Sequence, residues 1–76
     1  MSRWTPCKRR EFIEKLQQLG FSDPFSGSKH QFMIYQEYRL TIPSNDEYSV
    51  PQLRMMIPEA EEIIEMQITL EEWNSL

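Results

Sequence analysis

The sequence predicts an α+β domain, with helices laid on one face of a small antiparallel sheet. Three observations point there: an apolar stripe of helical period near the N-terminus that ends at Gly20, two alternating β-rich runs in the middle, and helical segments behind capping residues towards the C-terminus. With 76 residues the chain makes one domain, 1–76. A chain of this size buries only about 60% of its unfolded surface, so every amphipathic element must feed a single core.

Thr5 and Pro6 read as N-cap and first helical residue, and Phe12, Ile13, Leu16 and Leu19 form the apolar stripe of a first helix over about 6–19. Lys8, Arg9, Arg10 and Lys15 lie off that stripe and face water. They are either an ordinary solvated face or a contact surface for a phosphate backbone. Pro24 limits 21–25 to a short or edge strand, because proline cannot donate to a ladder. Gly27 and Ser28 turn the chain. Two strands, 30–35 and 38–42, then flank Gln36-Glu37 as a hairpin, and Phe32, Ile34, Leu40 and Ile42 are expected to cover the first helix.

The segment 43–47 is a loop by composition. Ser49 caps a second helix beginning near Pro51, with Leu53, Met56 and Ile57 inward, and Pro58 is expected to interrupt or kink it before helical character resumes over 59–66. Glu61 and Glu65 fall on its wet side. Thr69 with Glu72 three residues on opens a short last helix that docks Trp73 on the core.

The net charge of −4 is unevenly spread: residues 1–54 hold all eight basic groups against six acidic, and residues 55–76 hold six acidic and none basic. A weakly basic front suits RNA, though without the excess of a tight nucleic-acid binder. The single cysteine, Cys7, has no disulfide partner and no companions at metal-ligand spacing, which predicts an idle thiol in a reducing, cytoplasmic setting. Neither a membrane span nor a secretory signal is legible, so no membrane is expected as a partner.

The chemistry is concentrated at Gly27-Ser28-Lys29-His30. His30, the only histidine, has the one side chain that exchanges a proton near neutral pH, and Lys29 beside it offers a fixed positive charge. Metal-free cleavage of RNA needs a base for the 2′-hydroxyl, charge stabilisation at the phosphoryl oxygens and a proton for the leaving 5′-oxygen. At pH 7 a free lysine is unprotonated only about four times in ten thousand, so His30 is the better base and Lys29 the stabiliser. Strand alternation leaves two readings of His30, structural or functional, since it shares parity with Phe32 and Ile34. The backbone at Gly27 and Ser28 is a phosphate cradle or a plain turn. Tyr35, Tyr38 and Arg39 either contact RNA or decorate a sheet surface. A triad of Ser26, His30 and Asp46 has no supporting signature, and the pairs Glu61-Glu62 and Glu71-Glu72 diverge on their helices.

In this order the residues resemble the HicA toxin family. The resemblance spans most of the chain: Leu19-Gly20-Phe21 closing the first helix, the turn Gly27 to His30, Arg39-Leu40-Thr41-Ile42-Pro43, Leu53-Arg54-Met55-Met56-Ile57, and Ile68-Thr69-Leu70-Glu71-Glu72-Trp73. It implies a double-stranded-RNA-binding-domain-like α-β-β-β-α sandwich, here with a short extra C-terminal helix. It also implies a metal-independent, cofactor-free endoribonuclease that cleaves mRNA and is paired with a HicB-like antitoxin. The family's spacing to the strand-ending proline puts Lys29 at the catalytic place and His30 one residue beyond. The residues that carry RNA on this reading are Lys29 and His30 for catalysis, with Gly27, Ser28, Lys8, Arg9, Arg10, Arg39 and Tyr35 for binding. The competing readings are a weak or inactive RNA- or protein-binding module on the same fold, and an acidic domain whose exposed Met and Trp residues engage a protein.

Overall fold

Two small antiparallel sheets and three helices share one apolar core in the computed structural model, which describes residues 3–27 and 29–76. The order is β1 (Cys7–Lys8), α1 (Arg9–Gln18), β2 (Phe25–Ser26), β3 (Gln31–Tyr35), β4 (Tyr38–Ile42), β5 (Glu47–Tyr48), α2 (Val50–Ile64) and α3 (Leu70–Ser75). β2, β3 and β4 pair in that order, and β1 pairs with β5.

The first helix starts later than Thr5-Pro6 implied. Cys7 and Lys8 are extended, opposite Tyr48 and Glu47, and Lys8 is the N-cap without a side-chain bond. This ladder was invisible because two-residue strands have no period to read. The end of α1 follows the sequence closely: the Gly20 amide donates to the Gln17 carbonyl, the Phe21 amide donates to the Leu16 carbonyl, and Gly20 has φ +112°. That is a Schellman closure, with Phe21 and Leu16 both buried as its apolar clasp.

The facing of β3 is the reverse of expectation. Met33 is fully buried with Leu40 and Ile42, whereas Phe32 and Ile34 are half-buried and lie outside the core. The cause is the two-residue turn at Gln36-Glu37, which pairs Tyr35 with Tyr38 and therefore Met33 with Leu40. Directly opposed residues share a face, so inward positions must have opposite number parity on the two strands.

Ser49 and Gln52 make a reciprocal capping box at the start of α2, with N···O distances of 3.3 and 3.1 Å. The helix runs through Pro58 without a break, burying Leu53, Met56, Ile57, Ala60 and Ile64. Proline there removes the amide that would bond the Arg54 carbonyl and crowds that carbonyl with its ring, and the buried stripe on both sides holds the helix together. Glu61 is not free on the wet side: its carboxylate accepts the Ile68 amide at 2.6 Å and fixes the link to α3. Thr69 caps α3, and Trp73 packs 5.4 Å from the Phe12 ring, as the sequence suggested. Lys15 is also engaged, donating to the Trp73 carbonyl at 2.6 Å with its ammonium 5.3 Å from that indole.

Candidate nucleic-acid interface

Gly27 sets the geometry of the turn. Its amide donates to the His30 carbonyl at 3.0 Å, and a methyl group at Gly27 would stand 2.5 Å from that oxygen. This close crossing needs glycine, and it leaves Lys29 and His30 both exposed at the start of β3. His30 is on the solvent side of the sheet by parity with Phe32, so the structural reading of a sealed imidazole does not hold. The Gly27 amide, spent on His30, is no longer a donor for phosphate. Ser28 lies outside the described residues.

Arg9 reaches the same place from a distant part of the chain. The β1–β5 ladder continues as a bond from the Arg9 amide to the Asp46 carbonyl, 2.9 Å, which fixes the start of α1 against the segment leaving β4. The Tyr48 hydroxyl donates to the Pro43 carbonyl at 2.6 Å and folds that segment back. Burial pushes the Tyr48 phenol upward, an effect the neighbouring Arg9 guanidinium partly opposes. A cleft of about 250 Å³ results, lined by Arg9, Lys29, His30, Gln31, Ser44 and Asp46 among others. Two permanent cations and an imidazole face one carboxylate, which makes the cleft suited to an anion.

The other expected contacts disperse. Lys8 and Arg10 are exposed at the start of α1 but do not line the cleft. Tyr35 faces the core side, half-buried with its ring 5.3 Å from Phe21 and against Gly20. Arg39 is on the opposite, outer face, its guanidinium 4.8 Å from the Phe32 ring. Beside it, Phe25 and Phe32 stack at 5.8 Å and 26°. Phe25 has no period of its own to mark it, and Phe32, expected in the core, lies outside because the turn length sets it opposite Thr41 and not Leu40. Ser26 is paired with Gln31 on β2 and does not line the cleft, so no triad assembles with His30 and Asp46.

Among the described residues no group of three or more His, Cys, Asp or Glu is placed to hold a metal, and no helix is long and apolar enough to cross a membrane. Cys7 is buried, and its thiol is pushed up chiefly by that burial. The tryptophans are not an exposed partner surface: Trp73 is buried and Trp4 packs 6.3 Å from it.

Fold and cleft together define a small α+β domain with a cationic, histidine-bearing notch at one end of its larger sheet. The chain matches no protein-family model, no curated protein and no solved structure.

Proposed function

We propose that the protein is a metal-independent endoribonuclease acting on mRNA, with the cleft of Arg9, Lys29 and His30 as its site. The observation that carries this reading is the convergence of two cations from separate elements on the one imidazole in the chain. His30 takes the 2′-hydroxyl proton as the 2′-oxygen attacks phosphorus. The bond to the 5′-oxygen breaks, that oxygen receives a proton from the imidazolium or from water, and a 2′,3′-cyclic phosphate and a 5′-hydroxyl remain. Lys29 and Arg9 oppose the charge that gathers on the non-bridging oxygens. The resemblance to HicA toxins supports the same substrate and adds a HicB-like antitoxin as the partner that would restrain it.

Purified protein, freed of any partner, is incubated with mRNA in the presence of a chelator. Cleavage is expected to persist, and His30→Ala should slow it by about 10²- to 10⁴-fold, the usual worth of a positioned base. No cleavage by the unsubstituted protein sinks the proposal. Loss of activity only in Lys29→Ala reverses the two roles. One observation favours a second reading, RNA binding without cleavage: among the described residues His30 is the only group lining the cleft that ordinarily titrates near neutrality, so none of them offers a separate acid to the leaving oxygen. That reading predicts salt-sensitive retention of RNA and no product.

A further inference from the structure

We propose that the outer face of the β2–β3–β4 sheet is a stacking platform for the bases of single-stranded RNA, built from Phe25, Phe32 and Arg39. The proposal rests on the reading of the adjoining cleft as a phosphodiester site, and gives that site its substrate class.

The register puts Phe25, Phe32 and Thr41 in one row across the sheet and Ile34 beside Arg39 in the next. These five outward positions include one cation and no carboxylate. Phe25 is 47% exposed, and neither it nor Phe32 belongs to the core, so the two rings are held against each other on the outer side of the sheet, with Phe25 the more open to solvent. Arg39 lies over the Phe32 ring and adds to the aromatic pair a charge that suits a polyanion. Planar, sequence-tolerant surfaces flanked by cations are what unpaired bases need.

The platform is continuous with the cleft. Phe32 follows His30 by two residues with the same parity, about 6.6–6.8 Å along the strand, and its ring lies 3.5 Å from where a Gly27 methyl would be. A strand whose phosphate sits between Arg9 and Lys29 therefore has an adjacent base within reach of the rings. A duplex cannot use this surface, because its bases are stacked on one another and present only edges and backbone.

The test uses the full chain carrying His30→Ala, so that RNA stays intact, and three fluorescent probes: an unstructured oligoribonucleotide of about eight nucleotides, its abasic ribose-phosphate counterpart, and a duplex of the same sequence. The single strand should bind more tightly than both others. Phe25→Ala should weaken it by about 5- to 150-fold, the usual worth of one stacked base, and leave the abasic probe unchanged. Phe25→Trp should restore binding, whereas Lys29→Ala should weaken single-stranded and abasic probes alike. A silent Phe25→Ala, or a duplex preferred over the single strand, overturns the platform. So does an effect of Phe25→Ala confined to self-association or to a protein partner. If Phe25→Ala weakens binding while Lys29→Ala and Arg9→Ala do nothing, the platform stands and the cleft reading fails; if no probe binds, both fail.

Discussion

Gly27 is the position where one methyl group has the largest consequence. Gly27→Ala pushes a carbon into the His30 carbonyl, and nothing between two backbone segments can swing aside. A loss of about 1–3 kcal/mol is expected, as for other overpacked sites, checked by urea unfolding, with the His30 ring resonances displaced in the folded variant. Tyr48 and Cys7 make a second residue-scale prediction. Burial raises both groups above their ordinary values of 10.0 and 9.0, so the folded chain holds these protons more tightly than the unfolded one. Their contribution is complete below those values and is lost as pH rises through the raised ones. The urea midpoint should hold up to about pH 9 and fall above it, and Tyr48→Phe should soften the fall. The same substitution should cost about 1 kcal/mol at neutral pH through the lost bond to the Pro43 carbonyl.

Two element boundaries place non-glycine residues in left-handed backbone. Gln36, the first central residue of the β3–β4 turn, has φ 57°, and Glu65, which caps α2, has φ 58°. Glycine is the usual choice in both places. Gln36→Gly and Glu65→Gly should each stabilise the fold by about 0.5–1 kcal/mol, read as a shift of the urea midpoint at unchanged slope. The Gly20 stop and the Ser49 and Thr69 caps are each satisfied by neighbours within a few residues, whereas Thr5-Pro6 does not open α1 because Cys7 and Lys8 are drawn into the ladder with Tyr48 and Glu47. Burial in β3 departs from the even-numbered pattern because the two-residue turn sets Met33, not Phe32 or Ile34, on the same face as Leu40. The β1–β5 ladder had no sequence signal, since its partners are forty residues apart and two residues long.

At the scale of the molecule, twelve acidic residues outnumber eight basic ones, six of the acidic ones lie in residues 55–76, and the chain carries −4 overall. RNA affinity must then come from a few placed cations. Binding of a single strand should fall with salt at a slope of about −1.4 for two phosphate contacts, and Arg9→Ala should bring it near −0.7; a titration across ionic strength reads both. A much steeper slope would mean that Lys8, Arg10 or Arg39 also engages phosphate. The sequence by itself determined the α+β class, the Gly20 stop, the Ser49 and Thr69 caps, and the Lys29-His30 turn, because propensity, capping and turn chemistry act between near neighbours. Only the tertiary structure decided that Arg9 joins that turn, that His30 faces water, and that Phe25, Phe32 and Arg39 form one surface. Those juxtapositions depend on strand register and on a ladder between distant segments, which the free energy of the whole core selects and no short stretch of the chain encodes.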